Sequence, residues 1–445
     1  MTSAPRTNIP VSIPAGQGPT PALPATATLP PPTGSPVWSV PSRSVMIQML
    51  HGTPGRMRLL GALAALAALL LGAMSVNSLL SSKAAVDRAA SNTAQVIRIQ
   101  SLHVELLRAD ALATNAFLVG GLEPPEQRTT YDAALSSVAA GITEAAAAQP
   151  ADAAALAALS DQVQTYAGLV QQARTNNRQG LPVGAQYLKQ ASAGLRSDAI
   201  PIVTAIVKAN EGRASAELDR ADSRAWLLVG GLALAGMILV AVWLARRTRR
   251  YLNPSVTGAI VLSLVTLFVA AAAINSIAAT TARVAANDYR DAVALADVST
   301  AANDARANES LTLIARGSGA ANEKAWQADA TAIDAALPQL RQIDQGNWVA
   351  YRTAHAAIRK ADDSGNWDEA VTLSTATKAG SAGATFSAFD SEVTQARDAA
   401  GQQAVSDLNG VGGTTPLIAV LIALAALVAV WLIIRGITQR LREYA

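Results

Sequence analysis

The sequence contains no cysteine and only three histidines, His51, His103 and His355, among 445 residues. Disulfides, thiolate zinc sites, iron–sulfur clusters and cysteine nucleophiles are thereby excluded, and little is left to ligate a metal. Aromatic residues make up 4% of the chain and charged residues 15%, against about 25% charged in an ordinary soluble domain. A single water-soluble globule does not fit that deficit, whereas a lipid-embedded fraction does. Phosphate loops, HExxH zinc helices, EF-hand loops, dinucleotide fingerprints and serine nucleophile elbows are also missing. The expectation is a protein with no catalytic residues, no metal site and no cofactor, and so not an enzyme.

What the sequence does have is four apolar runs, at 59–80, 225–245, 256–277 and 416–434, each free of charge. Each is long enough to cross a bilayer as a helix, which takes roughly 20 residues. Trp226, Trp243 and Trp431 stand near the ends of the second and fourth runs, where an amphipathic ring prefers the headgroup level. Residues 1–58, 246–255 and 435–445 together hold eleven arginines against the single acid Glu443. The net charge of the whole chain is +3, so everything else nets −7. Basic flanks stay on the cytoplasmic side. The expected product is a multi-pass plasma-membrane protein with both termini and the 246–255 turn inside and the segments 81–224 and 278–415 outside. The basic charge then meets anionic lipid, and no aromatic interleaving points to nucleic acid.

Twelve of the 20 prolines lie in the first 54 residues, among Ala, Thr, Gly and Ser. Residues 1–55 cannot bury a core and read as a disordered cytoplasmic tail, either a tether or a proline-rich recognition segment (Pro21, Pro24, Pro30–Pro32). The first apolar run starts near residue 59, too late for a cleavable export signal, and reads as a signal anchor.

Both exterior segments are helical in pattern. Apolar residues recur at steps of three and four through Ile99, Leu102, Leu106, Ala109, Ala113 and Ala116, then Leu156, Leu159, Val163, Tyr166, Val170 and Ala173. Breakers at Gly120–Pro125, Gln149-Pro150 and Gly180–Gly184 divide the first segment into four helices. Breakers at Arg316–Gly319, Gly346-Asn347 and Ser364–Asn366 divide the second, whose last helix carries Phe386, Phe389, Val393, Ala396 and Ala400. Ser75–Leu79 finds an echo in Ala273–Ile277, 198 residues on, and Leu118–Gly120 in Ala315–Gly317, 197 on. The predicted fold class is an all-α membrane protein with four transmembrane helices and two tandem extracytoplasmic four-helix bundles. A helix running from each tip through the membrane could carry a small displacement, because packed helices switch between discrete arrangements.

The tip of the first segment has a distinctive run, Ala173 through Gly184 followed by Tyr187-Leu188. With Phe117–Pro124, and with Ala307–Leu313 and Arg316-Gly317 in the second segment, it resembles the actinobacterial GlnX-type transmembrane sensors. The resemblance covers about residues 56–445 and leaves out the proline-rich tail. It implies a relay. An extracytoplasmic solute-binding lipoprotein captures glutamate, aspartate or glutamine, the membrane protein reads that state, and a soluble cytoplasmic serine/threonine kinase responds. Each exterior segment is also similar to chemoreceptor-type four-helix sensory bundles, although the chain has no HAMP domain, signalling coiled coil or kinase. The candidate partner-contact residues are Asn176, Asn177, Arg178, Gln179, Gly180 and Pro182, with Glu123 and Arg316 as lesser candidates. Asparagine, arginine and glycine at a helix end also suit capping and turn formation.

Other readings stay open: a direct small-molecule receptor, in which Arg98, Arg108 or Arg174 would grip a carboxylate, an accessory subunit of a transporter, or a purely structural scaffold; membrane lipids and, in a homo-oligomer, a second copy of the chain are further candidate partners. The acids Asp362, Asp363, Asp368 and Glu369 suit helix capping better than a cation site.

Overall fold

A computed structural model describes residues 53–120, 123–221, 225–248, 253–340 and 342–442. The proline-rich tail, Gly121-Leu122 and the centre of the 246–255 turn lie outside the described residues. All regular structure described is helical. In the first half α1 is Thr53–Val119, α2 Pro125–Ala148, α3 Ala153–Arg178, α4 Val183–Gly194 and α5 Ile200–Ala221. The second half has α6 Ala225–Thr248, α7 Pro254–Val284, α8 Arg290–Ile314 and α9 Ala320–Ala336, then α10 Gln345–Asp363, α11 Trp367–Thr375, α12 Ala382–Gly410 and α13 Thr415–Arg442. A π-turn, Leu195–Ala199, joins α4 to α5, and another, Ala285–Tyr289, joins α7 to α8.

The four apolar runs fall in helices long and apolar enough to cross a membrane. They sit in the lower part of α1, in α6, in α7 and in α13. Their packing is the reverse of a soluble core. Leu228, Leu232 and Phe268 are each more than 70% exposed, a surface that only lipid can cover at this density. Between the helices the contacts are small. Gly61 and Gly72 of α1 face Ile437 and Ala426 of α13, and Gly230 of α6 faces Leu267 of α7. Close approach at glycine and alanine supplies dispersion contact where no hydrophobic drive exists between helices. At one end Asn253 caps α7, accepting from the Ser255 and Val256 N–H groups, and its own Nδ2 donates to Gly436 O of α13 at 2.9 Å.

Beyond the spans the apolar stripes close into two cores. The first gathers Ile99, Leu102 and Leu106 of α1 with Val138 of α2, Leu159 and Tyr166 of α3, Leu188 of α4 and Val203 of α5. The second joins Leu295 and Val298 of α8 with Trp326, Trp348, Tyr351 and Phe389. Those rings pack tilted against one another, with Trp348 and Phe389 centroids 5.2 Å apart, filling space that alanine-rich helices leave open. The 3-10 turn Pro150–Asp152 sits where Gln149-Pro150 breaks the pattern. Asp152 there accepts from Gln95, Asn210 and Arg213, tying α1 to α5 below the first core.

Two details depart from the pattern-based expectation of four helices per segment and unbroken connections to the membrane. The last helix of the second segment starts only at Ala382, because Gly380, at φ +80°, turns the chain and Ser381 caps the new start by accepting from Ala384 N–H. The short α11 precedes it. And α12 does not run on into α13: Gly412, at φ +71°, breaks the helix between Gly410 and Thr415. By contrast α1 passes unbroken from span to tip over 67 residues, about 100 Å at ~1.5 Å per residue.

The glycine packing can be tested. A Cβ at Gly72 would lie 2.3 Å from the Ala426 Cβ, so Gly72→Val should cost about 1–3 kcal/mol by overpacking. The lowered thermal midpoint should be read on the purified protein in nanodiscs. Ala426→Gly in the same chain should recover part of it.

Candidate functional site

At the tip of the first core the chain must reverse between α3 and α4, and the sequence Asn177-Arg178-Gln179-Gly180 does this with a Schellman close. Leu181 N–H donates to Asn176 O at 2.9 Å and Gly180 N–H to Asn177 O at 3.0 Å, with Gly180 at φ +69°, a conformation open to glycine at little cost. Pro182 then leads into α4. Gly184 lets α4 touch α3, because a Cβ there would lie 2.9 Å from Ala173 O.

Around this turn is a cleft of about 190 Å³ lined by Phe117, Glu123, Arg128, Arg174, Asn177 and Arg178, among others. Arg174 donates to Glu123 at 2.9 Å, and its guanidinium lies 4.0 Å from the centre of the Tyr131 ring. Asn177 Nδ2 donates to Phe117 O at 2.9 Å, locking α3 to the end of α1. Arg128 is paired with Asp132. Two of the three arginines on the cleft are thus held by carboxylates, Arg174 by Glu123 and Arg128 by Asp132, and Arg178 is the third.

The structure therefore brings Glu123, Asn177 and Arg178 together. Asn176, Gln179, Gly180 and Pro182 build the turn beside them. Arg316 stands elsewhere, on an open cleft of about 900 Å³ with Glu323, Arg359, Asp362 and Trp367. Its φ of +43° is unusual for a non-glycine residue, and its guanidinium sits 3.9 Å from the centre of the Trp367 ring, whose Nε1 donates to Leu313 O. Asp362 and Asp363 are held by Arg359 in the same cleft.

The two cores meet along α1 and α8, and sequence reading missed what joins them. Arg108 of α1 pairs with Asp390 of α12, and Arg196 pairs with Asp304 of α8. The charges are reversed between the two pairs. Arg108 and Asp304 are 196 residues apart and Arg196 and Asp390 are 194 apart, close to the offset of the sequence echo. Each pair therefore ties the long first helix of one core to the last helical stretch of the other. Arg196 reaches the seam from the π-turn, where the widened helix re-aims its side chain. It also donates to Asp110 at 2.8 Å, as do Ser192 at 2.6 Å and Tyr166 at 3.3 Å. Burial works against the Arg196 charge, but Asp110 and Asp304 outweigh it and raise its pKa. The available signal was a lone aspartate, Asp110, set into an otherwise apolar seam.

The second core holds its own buried network. Glu309 accepts from His355 Nδ1 at 2.8 Å, Ser374 at 2.8 Å and Tyr351 at 3.2 Å, and pairs with Arg306. His355 stacks on Trp326 with centroids 3.5 Å apart. Its Nε2 lies 3.3 Å from Glu323, outside hydrogen-bond geometry. Burial lowers the His355 pKa, but the Glu309 and Glu323 carboxylates prevail and hold it above the usual histidine value. Near the seam, burial and the Asp304 carboxylate push Asp329 up to about 7.

Residues 85–219 match the family model described as the actinobacterial sensor domain. The matched stretch runs from the outer part of α1 into α5 and so takes in every helix of the first core. No curated protein and no solved structure matches the chain. The similarity is to a sensor, and it coincides with the tip cleft and the Asp110 network.

Two outcomes follow from this geometry. Arg108→Asp should loosen the seam and lower the unfolding midpoint, and Asp390→Arg in the same chain should restore much of it, a double-mutant cycle read by thermal unfolding. Asp329 takes up its proton more readily in the folded state than in the unfolded one, so its contribution is fully present below about pH 4 and is lost as pH rises through about 7. Asp329→Asn should accordingly stabilise the protein more at pH 8 than at pH 5, seen as a widening difference in midpoint.

Proposed function

We propose that the protein is a transmembrane sensor and signal relay, its two cores serving as tandem extracytoplasmic helical bundles. The observation that carries this reading is the sensor-domain match on a core whose first helix continues without a break into the membrane. In the proposal, the tip cleft receives a carboxylate-bearing loop of an extracytoplasmic solute-binding lipoprotein. Arg174 and Arg178 attract it, Asn177 and Glu123 set the shape of the cleft, and the Schellman turn presents them. The resemblance to GlnX-type sensors suggests glutamate, aspartate or glutamine as the solute, with a cytoplasmic serine/threonine kinase downstream.

Transmission needs an element with two packings and a partner that prefers one of them. The seam supplies the element. Partner binding at the tip bears on α3, α3 bears through Tyr166 on Asp110, and Asp110 bears through Arg196 on the second core. A shift of α1 along this seam passes directly into its span. At the other end Asn253 couples α7 to α13, so a relative movement there would be displayed by the α6–α7 connection and the Arg435–Arg442 end to the kinase. Sensing by docking also fits the arginine-rich flanks, which would hold the cytoplasmic ends at anionic lipid.

Because the native chain has no cysteine, single cysteines report topology without background. Gln179→Cys should react with an impermeant maleimide in intact cells, and Thr438→Cys only after permeabilisation; the opposite pattern would sink the proposal. A photo-crosslinker at Gln179 should capture the solute-binding lipoprotein, and Arg174→Ala should reduce that yield several-fold.

A further inference from the structure

We propose that the second core senses protons: helix α9 is docked by protons held at His355 and Asp329, and their loss as the surrounding pH rises lets its first half swing away from α8 and α10. This is an input of its own and depends on neither a docked partner nor a solute.

The backbone of α9 lies along α8 and against little else. Side chains fasten it to α10 at two places. Near its end Asp334 accepts from Trp348 Nε1 at 2.8 Å and pairs with Arg352. Near its start the fastening is His355 of α10, stacked on Trp326 of α9 and set between two carboxylates, Glu309 of α8 at 2.8 Å from Nδ1 and Glu323 of α9 at 3.3 Å from Nε2. A neutral imidazole has one N–H and one lone pair, so here it would turn a lone pair towards a carboxylate. The imidazolium presents a proton to each.

The groups packed around His355 favour that form. Burial opposes the Glu309 charge, but Arg306 of α8 holds it ionised. Arg359, one turn along α10, lies 3.5 Å from Glu323 and is shared with Asp362 and Asp363. Tyr351 keeps its proton, burial and Glu309 both pushing its pKa up. From α11 comes the Ser374 hydroxyl, bonded to Glu309, and from α12 the Phe386 ring against Tyr351. Glu309, Glu323, Asp362 and Asp363 thus meet only Arg306 and Arg359 unless the imidazole is charged, and uncompensated charge in a half-buried place is costly. The deficit falls on Glu323. Glu309 keeps Arg306, Ser374 and Tyr351 as donors, whereas Glu323 is left with Gln327 of its own helix and a share of Arg359.

Asp329 repeats this logic two turns along α9. Its Oδ2 is buried without a partner. Asp304 of α8, beside it, is already engaged by Arg196 and Asn308, and Arg196 serves Asp110 as well. Asn308 and Arg196 favour the ionised Asp329, but burial and Asp304 prevail. Both groups therefore bind a proton more readily with α9 docked. Docking is at full strength below the ordinary values, about 6.5 for histidine and about 4 for aspartate, and is lost as pH rises through the raised ones. Asp304 is half of a seam pair, so the swing also reaches the contact between the cores. Because Asp334 keeps the far end pinned, α9 moves at its start, where Glu323 and Arg359 line the open cleft of Arg316.

The test uses the full-length protein in lipid nanodiscs. With only three histidines in the chain, ¹³C labelling of the rings gives few signals, and that of His355 is the one lost in His355→Gln. It should titrate above pH 6.5, while His103, which burial pushes down to about 4, should show no titration above pH 6. The native chain has no cysteine, so spin-label pairs can be placed cleanly at exposed positions. Between Ala321→Cys and Ala357→Cys the distance should be single at pH 5 and gain a longer component at pH 9. Between Ala335→Cys and Val349→Cys, at the pinned end, it should not change. In the first pair His355→Gln should bring the longer component in already at pH 5, Asp329→Asn should diminish it at pH 9, and the two together should make the distance independent of pH. The proposal is overturned if His355 titrates at or below pH 6.5, if the first pair keeps one distance throughout, if both pairs change alike, or if the double variant responds as the native chain does.

Discussion

Helix α1 has to satisfy three environments at once, and the remainder of the structure is arranged around that demand. Its lower third meets lipid and the small residues of α13, its middle ties to α5 through Gln95 and Asp152, and its upper third lines both cores. Leu118, near its end, belongs to the second core, while Ala113 one turn below belongs to the first. No turn of α1 can rotate without disturbing a neighbour. Helices in proteins owe most of their stability to tertiary packing, and this one of 67 residues is held by tertiary contact along nearly its whole length.

The polar groups inside the cores impose register where the apolar contacts do not. Alanine against alanine tolerates sliding, since one small residue resembles another. Asp110, held by Ser192, Tyr166 and Arg196, and Glu309, held by His355, Ser374, Tyr351 and Arg306, do not. Breaking either set by a helical slip would strand a buried carboxylate, at a cost of several kcal/mol. The reversed ion pairs at the seam do the same between the cores. Such pairs resist small drifts and permit discrete jumps, the behaviour a switching protein needs.

Much of the architecture was legible before any coordinates. The stripes Ile99 to Ala116 and Leu156 to Ala173 are the buried faces, because a period of about 3.6 leaves few other arrangements for apolar residues in water. The breakers at Gln149-Pro150 and Gly180 coincide with observed turns, because their backbone chemistry is local. The break between α12 and α13 was less visible. Gly410, Gly412 and Gly413 sit between a polar helix and an apolar one, and glycine is also common in helices near membranes. Of the candidate site, Glu123, Asn177 and Arg178 converge, while Arg316 joins a different cleft. Sequence proximity to a tip does not say which side of it a side chain occupies.

By itself, the amino-acid order determined most of the helices, the four apolar runs and the turn at the tip, since each depends on residues within a few positions of one another and on contact with lipid or water. Only the tertiary structure decided which charges meet. Arg108 and Asp390 are 282 residues apart, and Arg196 reaches Asp304 from a π-turn that no local pattern announces. Pairing over such distances is set by how whole helices pack, and the packing is a collective outcome of every apolar face at once.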